Sequence, residues 1–118
     1  MSQPLAVLLS IAIEAAVAAA LISALRWGSA ARAAAAATIG TLLTHWFAWH
    51  WSPPLMAVIG DIPGFIAVEA CVTLIESGVY RFLVPVNLGR ALVLSLAANG
   101  SSAAVGIVLA AFNLVAPS

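Results

Sequence analysis

The stretch IAIEAAV at residues 11–17 returns nearly letter for letter as IAVEACV at residues 66–72. Each copy sets one carboxylate, Glu14 or Glu69, in the middle of an apolar run. An acid in such a frame calls for a helix that turns one face toward other helices. The match extends outward from these letters. Arg26 follows Glu14 by twelve residues, and Arg81 follows Glu69 by twelve. Arg32 precedes Thr41 and Thr44 by nine and twelve residues, just as Arg90 precedes Asn99 and Ser102. Only the turn between the paired arginines differs, being three residues longer in the second copy. The chain therefore reads as two tandem copies of one helical hairpin, repeat 1 over about 4–51 and repeat 2 over about 64–115.

Composition places those hairpins in a membrane. Of 118 residues, 64% are hydrophobic and 7% charged: four Arg, no Lys, three Glu and one Asp. A soluble domain of this size needs a polar shell that so few polar residues cannot supply, so the outer surface is expected to face lipid. Four apolar segments approach the roughly 20 residues that a helix needs to cross a bilayer: about Pro4 to Leu25, Ala33 to Trp51, Gly64 to Val84 and Ala91 to Val115. No alternating strand pattern suits a β-barrel. The fold class expected is all-α, an integral membrane four-helix bundle made of two tandem, parallel-oriented hairpin repeats, forming a single transmembrane domain over 1–118. Each copy holds an even number of spans, so the two insert with the same polarity about a pseudo-twofold axis along the membrane normal. The N-terminus has no basic region of the signal-peptide kind, and helix 1 is read as a retained span.

Orientation follows from the arginines. Arg26 and Arg32 bracket the first connection and Arg81 and Arg90 the third, while the middle connection, Ser52 to Pro63, carries Asp61 and no basic residue. The positive-inside rule then makes the Arg-flanked turns cytoplasmic and puts both termini and the middle loop outside. HWFAWHW at 45–51 supplies an outer aromatic belt, and Trp27, Tyr80 and Phe82 an inner one.

At about 1.5 Å per residue, Glu14 and Glu69 lie roughly 18 Å from their arginines, inside the hydrocarbon. Thr44 and Ser102 share that depth, so each hairpin is expected to offer its own Glu a hydroxyl partner. Helix 4 adds a stripe of Ser95, Asn99, Ser102 and Gly106, spaced for one face turned into the bundle. Helix 2 keeps a weaker version in Ala37, Thr41, Thr44 and Ala48. Glu76 belongs to the second copy alone, where the first has Leu21. It falls seven residues after Glu69 on nearly the same face and one turn before Tyr80. An ionised carboxylate is disfavoured in low dielectric, so these acids are expected to hold protons unless Arg or water reaches them. Such carboxyls mark an ion or proton path in one reading, and in another they fasten helices through Ser, Thr or Asn.

The remaining polar residues are read more simply. His45, near Glu14's depth, is expected to hydrogen-bond in the interior, and His50 to lie at the interface. Their five-residue spacing puts them about 140° apart, which does not make a joint metal or haem site. Cys71 is single and matches Ala16, so no disulfide is expected. NGS at 99–101 lies within helix 4, where no glycan could be attached. With no phosphate loop, HExxH, nucleophile elbow or basic nucleic-acid patch, neither enzyme chemistry, a cofactor, a metal nor nucleic-acid binding is expected.

VEACVTLIESGVYR at 68–81 followed by RALVLSLAANGSSAAVG at 90–106 resembles a group of short four-span prokaryotic membrane proteins. That group has Ile-Glu before an aromatic-basic helix end and Ser-x-x-x-Asn-x-x-Ser in the last span. The resemblance implies the fold and a prokaryotic cell (inner) membrane, and nothing chemical. In length, four spans and a first-helix acid at Glu14, the chain is also similar to the small multidrug resistance transporters. It departs from them in having no Lys after helix 1, no Gly-rich third helix, and two further intramembrane Glu. Four spans make a thin bundle, and the small-residue run Ala33 to Ala37 invites close helix packing. Two classes follow. One is a homo-oligomer passing a proton, cation or small solute along its polar seam, with Glu69 and Glu76 alternating between protonated and ionised states. The other is a non-catalytic subunit or assembly factor gripping larger membrane partners.

Overall fold

The computed structural model describes residues 2–112, and these form four helices: α1 (Gln3–Leu25), α2 (Ala30–Ile59), α3 (Asp61–Leu83) and α4 (Leu88–Ala111). Three of them, over Pro4–Leu25, Asp61–Leu83 and Leu88–Ala111, are long and apolar enough to cross a membrane. α2 is the longest but less apolar, because Arg32, three Thr and two His are spread along it. The sequence reading of the fourth span reached Val115, and residues 113–115 lie outside the described part.

Local signals explain most boundaries. Ser2 caps α1, its hydroxyl accepting from the Leu5 amide, and Pro4 sits in the first turn where no amide is needed. Ser29 and Asn87 cap α2 and α4 in the same way through the amides of Arg32 and Arg90. α1 stops at Arg26, which takes a left-handed conformation (φ 57°) while the Trp27 amide reaches back to the Ile22 carbonyl.

The middle connection corrects the sequence reading. Ser52 to Pro63 is not a loop: α2 runs through Pro53 and Pro54 to Ile59, and α3 begins at Asp61. Each proline withholds one amide, which takes the usual helical donors from the Trp49 and His50 carbonyls, while the Ser52 hydroxyl donates to the Ala48 carbonyl just before them. The aromatic run 45–51 is therefore inside the helix and does not mark its end. The reversal falls on Gly60 alone, at φ 99° and ψ 159°, a backbone region that residues with a Cβ avoid. Asp61 follows in the first turn of α3, where its charge suits the helix N-terminus. Beyond this corner the two helices nearly touch, since a Cβ on Gly64 would lie 2.7 Å from the Met56 Cα.

Each helix packs on its neighbours in sequence, and α4 closes the ring against α1. The packed apolar cluster lies toward the end that carries the arginines. It comprises Ala18 and Ile22 of α1, Ala33, Ala36 and Ala37 of α2, Tyr80 and Val84, and Val86, Ala91 and Leu94. Alanine at so many facing positions lets the backbones approach closely. Tyr80 is fully buried here rather than at a boundary, which corrects its assignment to the inner aromatic belt. Toward the Gly60 end the bundle loosens. No described residue of α1 before Glu14, of α2 after Thr44 or of α4 after Asn99 is buried. Gly106 is exposed with open space around its Cα, so the α4 stripe enters the interior only at Ser95 and Asn99, with Ser102 half-buried.

Candidate functional site

The polar groups converge where the packed half of the bundle meets the loose half. Glu14 of α1 is 3% exposed and Glu76 of α3 1% exposed, and their carboxyls lie close to each other. Each carboxyl is held from the other hairpin. Thr44 Oγ1 donates to Glu76 Oε2 at 2.8 Å, and Ser102 Oγ donates to Glu14 Oε2 at 3.2 Å. The expectation that each hairpin would serve its own Glu is thus corrected. The Gly40 carbonyl, 2.9 Å from the same hydroxyl, competes with Glu76 for its single proton, as carbonyls four residues back do for helical threonines.

Gly40 makes room for this meeting. A Cβ there would stand 3.0 Å from Glu76 Cγ, so the carboxylate stem lies against bare α2 backbone. Register supplies the rest. Thr44 and Glu76 are equidistant from Gly60, and the corner brings them face to face.

Around this pair, Thr41 stands beside Glu14 and Asn99 beside Glu76. The Asn99 amide donates to Ser95 Oγ at 3.2 Å, and Ser95 Oγ donates to the Thr73 carbonyl at 2.7 Å, tying α4 to α3. Among the described residues, Glu14 Oε1, Glu76 Oε1, Thr41 Oγ1 and Tyr80 Oη are buried with no hydrogen-bond partner. Two carboxylates are acceptors only, so a hydrogen bond between Glu14 and Glu76 requires a proton on one of them. The arrangement sets two acids side by side in the interior, with one hydroxyl on an oxygen of each.

Glu69 lies elsewhere. Although it repeats Glu14 in sequence, it is half-buried and lines a groove of about 520 Å³ between α3 and α4. Phe65, Leu74, Leu96, Asn99 and Gly100 share that groove. Asn99 therefore faces both the groove and the buried pair. Glu69 and Glu76 share helix α3, but it is Glu14 from across the bundle that lies beside Glu76.

His45 is also displaced from its expected role. Its ring lines a hollow between α1 and α2 with Pro4, Val7, Leu42 and Trp46, and its Nε2 has no partner among the described residues. Its nearest aromatic neighbour is Trp49, at 5.6 Å between ring centroids. His50 stacks on Trp46 at 4.9 Å. Among the described residues no group of three or more His, Cys, Asp or Glu is placed to hold a metal.

The four arginines, all exposed, gather at the end opposite Gly60. Arg90 lies 5.0 Å over the Trp27 ring, Arg32 Nη1 reaches the Leu83 carbonyl at 3.5 Å, and Arg81 sits in the last turn of α3.

Sequence reasoning missed Gly40 as a contact of the site and misplaced Tyr80. Both stand four residues from a site residue, Gly40 before Thr44 and Tyr80 after Glu76, and that helical spacing was the available signal. Comparison with protein-family models, with curated proteins and with solved structures finds no match.

Proposed function

We propose that this chain is a small polytopic membrane protein, with all four helices spanning the bilayer, that passes a proton, a cation or a small solute through an intramembrane carboxyl pair. The observation that carries this is the meeting of Glu14 and Glu76 in the bundle interior, each steadied by a hydroxyl from the opposite hairpin. A buried pair of acids that shares a proton exchanges it, or trades it for a cation, at little cost in rearrangement. Access is from the Gly60 end, because the arginine end is filled by the apolar cluster around Ile22, Tyr80 and Leu94. The two hairpins are tandem copies, with Glu76 added to the second at the place of Leu21. The arginine end is cytoplasmic, the termini are outside, and the membrane is a prokaryotic cell membrane.

Reconstitution in vesicles with an internal pH dye tests this. Glu14→Gln and Glu76→Gln are each expected to lower proton-coupled flux at least tenfold, and Glu69→Gln to lower it less. Flux unchanged in both of the first two variants sinks the reading.

A second reading is favoured by the loose half of the bundle. Residues 104–108 of α4 are all exposed, so the other described residues leave that segment largely uncovered. A membrane subunit or assembly factor would present such a segment to a larger partner or to another copy of itself. Foreign subunits at fixed stoichiometry in a mild-detergent extract would support this reading; a pure homo-oligomer would support the first.

A further inference from the structure

The outer face of the α2–α3 hairpin carries a continuous apolar furrow that the carboxyl site does not use. At the arginine end a hollow of about 280 Å³ is lined by Arg32, Ala35, Ile39, Phe82 and Leu83. It runs into a second hollow of about 420 Å³, where Ile39, Phe82 and Leu83 recur and Leu43, Ile75 and Gly78 continue the walls. The α2 positions 32, 35, 39 and 43 are spaced three and four residues apart, so they form one stripe along the helix. Gly78 leaves the floor open, since a Cβ there would meet nothing within 4 Å. From Arg32 to Leu43 the furrow spans about 16 Å at 1.5 Å per residue, about half of a roughly 30 Å hydrocarbon core.

Arg32 stands at its mouth. The Leu83 carbonyl lies 3.5 Å from one guanidinium nitrogen, a long contact that brings the exposed group to the edge of the furrow. A guanidinium has five N–H donors, so this one contact leaves most of them for another partner. The acids of the chain are placed elsewhere: Glu14 and Glu76 in the interior, Glu69 in the α3–α4 groove, and Asp61 beside Gly60. Arg81 in the last turn of α3 adds to the positive field at this end.

We infer that this furrow binds one phospholipid with an anionic headgroup, its phosphate on Arg32 and an acyl chain lying along Ile39 and Gly78 toward Leu43. Charge selects the headgroup, because a planar guanidinium pairs with phosphate oxygens through two parallel N–H donors. Length selects a membrane lipid, since the furrow is one leaflet deep and apolar below the arginine. Arg32 then does more than set orientation.

The test uses the full chain in mild detergent, offered phosphatidylglycerol or phosphatidylcholine of matched chains, with retained lipid counted by native mass spectrometry. The wild type is expected to keep one phosphatidylglycerol with about fivefold preference, the scale of one arginine near an anionic surface. Arg32→Gln should bring the two lipids near parity, and Gly78→Leu should lower retention of both by filling the furrow. Arg90→Gln removes the same charge at the same end, away from the furrow, and should keep the preference. Parity in the wild type, equal losses in Arg32→Gln and Arg90→Gln, or full retention in Gly78→Leu would each overturn the inference. It rests on the membrane placement proposed above, and an alkaline carbonate wash separates the two failures. A chain that washes off membranes ends the membrane reading, whereas one that stays but shows no preference ends the lipid site alone.

Discussion

Thr44 and Glu76 stand sixteen residues on either side of Gly60, and the hydroxyl of the first donates to the carboxyl of the second at 2.8 Å. Met56 and Gly64, four residues from the same glycine, repeat that symmetry at the corner. One residue in a conformation open to glycine alone thereby sets the α2–α3 register, and with it the position of a buried acid.

Removing the donor and keeping the shape tests this bond. Thr44→Val is expected to destabilise the bundle by about 0.5–2 kcal/mol, the range of interhelical hydrogen bonds in membranes. Thr44→Ser should retain most of that stability. Reversible unfolding in mixed detergent reads both, and equal stability of Val and Thr at this position would show the bond to be energetically idle.

The glycines should rank by what a methyl group meets. Gly64→Ala drives a Cβ into Met56 backbone at 2.7 Å and should cost most, about 1–3 kcal/mol or more. Gly40→Ala presses on the movable Glu76 side chain at 3.0 Å and should cost less while shifting the carboxyl. Gly78→Ala meets nothing and should stabilise by up to about 1 kcal/mol through helix propensity. Thermal melts of the three variants check the order, and Gly64→Ala as stable as Gly78→Ala would refute the close approach at the corner.

Tyr80 is fully buried and its hydroxyl has no partner among the described residues. An unpaired buried hydroxyl costs about 1–3 kcal/mol, so Tyr80→Phe is expected to leave stability unchanged or raise it. Tyr80→Ala should cost about 3–5 kcal/mol by opening a cavity in the apolar cluster. A loss in Tyr80→Phe as large as in Tyr80→Ala would mean that the hydroxyl, not the ring, carries the contribution.

Glu14 and Glu76 should be coupled, and Glu69 independent of Glu76. A double-mutant cycle on Glu14→Gln and Glu76→Gln is expected to give an interaction energy of about 0.5–3 kcal/mol, as for residues in one hydrogen-bond network. The same cycle on Glu69 and Glu76 should close to within about 0.5 kcal/mol. Additivity in the first cycle would separate the two carboxyls in solution.

Cys71 reports on the surroundings of the bundle. It is exposed in the middle of α3, beside Phe47 and Trp51 on the α2–α3 face. In intact membranes a charged maleimide should leave it unlabelled, whereas a lipid-permeable one should react. Rapid labelling by the charged reagent would put that face in water.

The helical class and the three strongly apolar helices are legible because composition and unbroken hydrophobic length need no partner to be read. Glu14, Thr44, Glu76, Asn99 and Ser102 were picked out because polar groups are rare in such segments and stand out one by one. Their pairing was not legible. Equal depth within a hairpin pointed Glu14 to Thr44 and Glu69 to Ser102, whereas Glu14 meets Ser102 and Glu76 meets Thr44. Pro53 and Pro54 read as a break, yet α2 passes through them with α3 packed alongside.

By itself the sequence determined the helical class and which few side chains are costly to bury, since both follow from local chemistry. The tertiary structure alone decided which acid goes inside. Glu14 and Glu69 carry the same local frame, but the register set at Gly60 and the space left by Gly40 bring Glu76 to Glu14 and leave Glu69 on a groove. Register is a relation between helices, and no single segment contains it.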